Sequence, residues 1–279
     1  MSKGILVLAQ NNTEVDYVEQ ACLLAMSLKT TNPNTGISIV TNDFVPYEYE
    51  DLFDEIIEIP WYDDAHDSNW KVENRWKLYH ASPYTETIVM DTDMLVLQDL
   101  TTWWDFLGNY DIYFPSNVYT YRGEIVTSDF YRKAFTANNL PNLYVGLHYF
   151  KKCDTAHEFY SWLELVSKNW KSFYDIFIKE NTPKHQSMDV NVAIVASILD
   201  CENAVTNIKT TFPSFVHMKP MIQNWAQETL RWQDLVGVYI NKNCELKIGN
   251  YIQNGVFHYT EKDFVSEAII ERYRNKLNV

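Results

Sequence analysis

Glycine is scarce, with 8 in 279 residues. No Gly-rich loop is available to cradle phosphates on backbone N–H groups, so a phosphate site here needs another source of positive charge. Cysteine is scarce as well. Cys22, Cys153, Cys201 and Cys244 form no close pair in the chain. This excludes a zinc spacing and a disulfide framework, and points to a reducing, cytoplasmic compartment. Basic residues number 23 against 37 acidic ones, for a net charge of −14. That argues against general nucleic-acid binding and against an anionic membrane surface, but a small anionic ligand held through a metal stays open. Long apolar runs are missing: GILVLA, from Gly4, is too short for a signal-peptide core or a membrane span. No internal repeat and no low-complexity linker divides the chain.

Apolar residues are abundant at 46% and aromatic residues at 15%, enough for a substantial core. GILVLAQ, GISIVTN, DEIIEIP and ETIVMDTD read as four buried strands. Between the first two, Val15, Val18, Cys22, Ala25 and Leu28 recur at helical spacing, with Thr13 and Asp16 at the capping end. ENRWKLYHAS is a short helix before the fourth strand. This alternation predicts an α/β fold with a mostly parallel central sheet flanked by helices. The second part is less regular. It has strands at YDIYFP and LYVGLHYFKK, a helix capped by Asp154, a buried helix at SMDVNVAIVASIL, short strands from Thr206 to Thr260, and a last helix from about Ser266. The expectation is one body over 1–279, with 1–100 forming one half and 101–279 a smaller second lobe.

Asp91 and Asp93 end the fourth strand, where ligands bind in open α/β sheets. Period two puts both side chains on one side if the strand continues. Two adjacent carboxylates raise each other's pKa unless a cation neutralises them, and a hard divalent ion with oxygen ligands does so. A turn cap beside a solvated aspartate is the plainer reading. Tryptophans among polar residues, at Trp61, Trp70, Trp103, Trp104, Trp225 and Trp232, read as core, with sugar stacking as the alternative. Asp63, Asp64, His66 and Asp67 read as a solvated loop.

TIVMDTDMLV resembles the Asp-X-Asp stretch of GT-A glycosyltransferases, and most closely that of the glycogenin and galactosyltransferase-like, family 8-type enzymes, which use nucleotide sugars. LVLAQNNTEVDYVEQACLLAMSLKTTNP is similar to that group's opening strand, turn and first helix, which puts Ala9, Gln10, Asn11 and Tyr17 near the base and ribose. RWKLYHASPYTETIVMDTDMLVL is similar to its lysine-bearing helix and metal strand, with Lys77 as the donor-site lysine and Arg75 exposed. NLYVGLHYFKK resembles the central Asn-Ser/Ala-Gly strand with Tyr144-Val145-Gly146 in its place, and Asp189 falls on an acidic helix start.

The resemblance further implies a late histidine completing the metal site, followed by a lysine for the diphosphate. VFHYTEKDF offers His258 and Lys262, and VHMKPMIQNW offers His217 and Lys219. His258 with Lys262 is preferred, because it follows an apolar strand. The implied activity is transfer of a hexosyl group from a nucleotide-diphosphate sugar, a UDP-sugar by preference, to a carbohydrate or glycoconjugate acceptor, with retention of configuration. Asp91, Asp93 and His258 would bind Mn2+ or Mg2+, with nitrogen ligation favouring manganese. Thr92 sits between the aspartates, and Asp189 and Lys262 would serve the transfer. Two alternatives stand beside it. One is an inactive GT-A scaffold that binds carbohydrate. The other is a HAD-type phosphohydrolase, whose motif normally follows the first strand and carries Thr where this chain has Leu95.

Overall fold

The computed structural model describes residues 2–279 apart from 129, 211, 224 and 226–229. The first strands are β1 (Lys3–Leu8), β2 (Gly36–Val40), β3 (Glu55–Ile57), β4 (Glu86–Met90), β5 (Met94–Val96), β6 (Ile112–Tyr113) and β7 (Leu147–Lys151). The C-terminal part adds β8 (Phe215–His217), β9 (Val238–Ile240), β10 (Leu246–Ile248), β11 (Tyr251–Ile252) and β12 (Val256–His258). Six of them form one sheet in the order β3-β2-β1-β4-β7-β6. The four from β3 to β4 run parallel, and β7 is antiparallel to both β4 and β6. This is the mostly parallel sheet that the alternating pattern predicts.

Its strands are apolar on both faces because helices cover both. Ile5, Val7, Ile88 and Met90 pack on one side with Leu23 and Leu24 of the Tyr17–Thr31 helix. Leu6 and Val89 point the other way, onto Phe159 and Leu163 of the Asp154–Lys168 helix and Val192 of the Met188–Ile198 helix. Each such side chain contributes about 1.5–3 kcal/mol when fully buried, so a polar residue at any of these positions would cost more than a surface ion pair returns.

The helix starts differ from the sequence expectation. The first helix begins at Tyr17, where the Asp16 carboxylate accepts the Glu19 N–H at 2.9 Å, and Thr13 lies outside it. Asp154 is the first helical residue, with Cys153 as the cap position and no capping side chain. An acid there still favours the positive end of the helix. Trp103 and Trp232 are core, as expected, whereas Trp61 and Trp70 are exposed. Part of the stretch between Trp225 and Trp232 lies outside the described residues.

Two further sheets complete the fold. β9, β10 and β11 make an antiparallel meander. The other, β5-β12-β8, places β12 antiparallel to β5 and parallel to β8. The chain therefore leaves the large sheet after Met90 and enters this small one at Met94, and the Asp91–Asp93 turn is the hinge between the two. No helix of the described residues is long and apolar enough to cross a membrane.

Candidate functional site

The acidic pair sits in that turn. The strand does not continue through it, so period two is not what aligns the carboxylates. The bend is held by two backbone bonds instead: Asp91 N–H to the Gly146 carbonyl at 2.8 Å, and Tyr259 N–H to the Asp93 carbonyl at 3.1 Å. In the small sheet Met94 pairs with His258 and His258 with His217. This register delivers a histidine from β12 to the acidic turn. One ligand atom from each of Asp91, Asp93 and His258 lies within 4.8 Å of the others, and this is a triad able to hold a metal ion among the described residues.

Every charge in the triad is answered. Asp93 is buried; its Oδ1 lies 3.0 Å from His258 Nε2, and its Oδ2 accepts from Lys262 Nζ at 2.5 Å. Burial alone would raise this carboxyl, but His258 and Lys262 outweigh it and hold Asp93 well below the usual carboxylate range. Asp91 pairs with Arg75 at 2.6 Å. Two oxygen donors and one imidazole nitrogen suit a divalent ion of the Mn2+ or Mg2+ kind. His258 Nδ1 is buried with no hydrogen-bond partner, so the outer support usual for a metal-bound histidine is missing on that side.

Gly146 makes room for the turn: a Cβ there would stand 2.9 Å from Asp91 Oδ2. Gly146→Ala is expected to displace the Asp91 carboxylate and weaken Mn2+ about tenfold, with little loss of melting temperature, since the clash is with a side-chain end. Calorimetric Mn2+ titration checks this, and unchanged affinity would show that Asp91 tolerates the shift.

A cavity of about 430 Å³ opens over the triad, a size suited to a small-molecule ligand. Gln10, Tyr17, Thr92, Asp189 and Lys262 line it, as does the acidic pair itself. Gln10 is fixed by Asp63 at 3.0 Å and by Asn74 at 2.9 Å. Ala9 and Asn11 do not line the cavity. Ala9 N–H is spent on the Val40 carbonyl, and Asn11 braces the turn after β1 through Asp43 and Val18.

The clearest departure concerns Lys77. It is buried, paired with Asp64 at 3.0 Å and donating to the Tyr62 carbonyl, and it points away from the cavity. Arg75 takes the position expected for it. A 3-10 turn at Arg75–Lys77 sends the two side chains in different directions, so only one can face the acidic pair. Asp63 and Asp64 accordingly brace the loop and do not form a metal cluster of their own.

Both late histidines reach the cavity. Their rings lie side by side, with centroids 4.7 Å apart, because β8 and β12 are in register. Only His258 reaches Asp93. His217 is buried with Nδ1 unpartnered, and burial followed by the neighbouring His258 keeps it well below the usual histidine range. Asp189 also lines the cavity, in the first turn of the Met188–Ile198 helix. One of its oxygens accepts the Val145 N–H at 2.9 Å, and the other pairs with the buried Arg132. Arg132 escaped the sequence reading because nothing around TSDFYRKAF marks it; only the fold brings it to Asp189.

No family model matches this chain, and no curated protein matches it in sequence. Solved structures do match in fold. The galactosyltransferase LgtC, crystallised with donor and acceptor sugar analogs, is 14% identical, with a TM-score of 0.54 over 98% of this chain and 95% of its own. Mouse xyloside xylosyltransferase 1, in its apo form, is 11% identical, with a TM-score of 0.51 over 95% of this chain and 100% of its own. Apo GlyE of Streptococcus pneumoniae TIGR4 is 14% identical at a TM-score of 0.51; this chain is covered fully but spans only 63% of GlyE. What these likenesses carry is architecture: the chain has the GT-A fold of sugar transferases.

Proposed function

We propose that the protein is a metal-dependent glycosyltransferase that moves a hexosyl group from a UDP-sugar to a carbohydrate or glycoconjugate acceptor, with retention of configuration. The observation that carries the reading is the Asp91, Asp93 and His258 triad at the floor of a ligand-sized cavity. Residues 1–279 act as one unit in this reading, 1–100 serving the donor and 101–279 the acceptor and the last metal ligand. Four free thiols, far apart in the chain, fit a cytoplasmic setting.

Asp91, Asp93 and His258 would hold Mn2+ or Mg2+, which supplies charge neutralisation for a diphosphate leaving group when bound. Lys262 and Arg75 line the same cavity on flexible stems and can exchange a carboxylate oxygen for a phosphate oxygen. Gln10 and Tyr17 offer an amide and a ring face to the nucleoside. Asp189 has both oxygens engaged, by Val145 and Arg132, so its part is to hold a substrate hydroxyl in place. An inverting transfer needs a free carboxylate as general base on the acceptor side, and the engagement of Asp189 favours retention.

Calorimetry with UDP tests this. UDP is expected to bind in Mn2+ and to lose most of its affinity in excess chelator. At a hundredfold excess over Kd it should stabilise the fold by about 2.7 kcal/mol. UDP affinity indifferent to Mn2+ would overturn the reading. Release of UDP from one member of a UDP-sugar panel identifies an active transferase, and binding without release identifies the inactive scaffold.

A further inference from the structure

Four cationic side chains line the cavity, and three of them have an oxygen partner. Arg75 meets Asp91 at 2.6 Å, Lys262 meets Asp93 at 2.5 Å, and Lys71 Nζ donates to the Ala65 carbonyl at 2.7 Å. The fourth is Lys219. Among the described residues its Nζ has no ion pair and no hydrogen bond; it lies 4.6 Å from the centroid of the Tyr131 ring. Lys219 is half-buried, on extended backbone between β8 and Pro220. A partly desolvated ammonium without a counter-charge is unfavourable, and a chain of net charge −14 is not short of carboxylates to supply one.

Its place in the cavity narrows what it serves. Burial pushes the Lys219 ammonium down, and among the charged groups around it Asp189 opposes that most, ahead of Asp93. The Tyr131 ring under Lys219 also meets the Arg132 guanidinium, the partner of Asp189, so Lys219 belongs to the Asp189 end. Asp189 is engaged by Arg132 and the Val145 N–H, and among the described residues no ion pair joins it to Lys219. The groups suited to a diphosphate, Lys262 and Arg75, sit on the acidic pair.

We propose that the Asp189 end of the cavity binds an anionic group, a phosphate or a carboxylate, carried by the saccharide substrate, and that Lys219 is its counter-charge. This rests on the sugar-transfer reading and narrows the substrate class to anionic saccharides.

Calorimetry in Mn2+ separates the two sources of such an anion. One arm compares UDP-glucuronate with UDP-glucose. The other, with UDP present, compares glucose 6-phosphate and glucuronate with glucose. In one arm the anionic probe is expected to bind about tenfold or more tightly than its neutral counterpart, the scale of one charge-assisted hydrogen bond. Lys219→Met should shrink that preference to within about twofold, while Lys219→Arg keeps it and both leave the UDP Kd and the melting temperature unchanged. Absence of a preference in both arms overturns the inference. So does a Lys219→Met variant that loses UDP itself, since the lysine would then serve the diphosphate. UDP failing to bind the unaltered protein sinks the sugar-transfer reading instead, and the acceptor arm repeated without UDP still reads the anion site.

Discussion

Asp93→Asn is expected to abolish Mn2+-dependent UDP binding in a protein that remains folded. The carboxylate is buried, and each of its oxygens meets a nitrogen, His258 Nε2 at 3.0 Å and Lys262 Nζ at 2.5 Å. An amide of the same shape keeps the packing but removes the charge that a divalent ion needs. Changes in the outer shell of a metal site cost about 10–100-fold in affinity, so loss of a direct ligand should reach at least the upper figure. The fold should survive, because the Lys262 side chain is 39% exposed and can turn to water. A stability loss of about 1–3 kcal/mol is expected, as for one buried polar partner left unsatisfied. Thermal melts and UDP titration with and without Mn2+ check both halves. Unchanged UDP affinity would remove the acidic turn from the binding site.

The second large effect separates the two histidines. His258→Ala should weaken Mn2+ at least tenfold, and His217→Ala less than threefold. The rings are neighbours, so both substitutions open similar space, and the difference isolates ligation. Only His258 Nε2 lies beside Asp93; His217 shares the cavity wall without touching either aspartate. Direct Mn2+ titration, read by calorimetry without nucleotide, gives the ranking. The opposite order would transfer the third ligand to His217.

The two strand-borne candidates were legible because apolar strands ending in acid or histidine carry their chemistry at a predictable edge. Periodicity found β4 and the segment that becomes β12, and the resemblance supplied the reason to connect Asp91, Asp93 and His258 across the chain. What the sequence hid is what tertiary packing decides. The alignment of the carboxylates comes from a turn between two sheets, held by Gly146 and Tyr259, and not from an uninterrupted strand. Whether Arg75 or Lys77 faces the cavity depends on Asp64 and Tyr62 capturing Lys77. Nothing in the spacing of RWK sets that choice. The register of β8 against β12 brings both His217 and His258 to the cavity, and only His258 meets Asp93. Arg132 became visible only as the partner of Asp189, and that Lys219, offered by the sequence beside His217, has no ion pair among the described residues is seen only in the fold.

The seating of β12 between β5 and β8 has a consequence for biosynthesis. Lys262 follows Asp93 by 169 residues, and at ribosomal speeds of 5–20 residues per second that is roughly 10–30 s of translation. Throughout that interval the emerging aspartates have neither their histidine nor their lysine. If the triad holds a divalent ion as proposed, a nascent protein has no complete site for it, and premature termination before Val256 would release a product carrying the acidic motif without the third ligand.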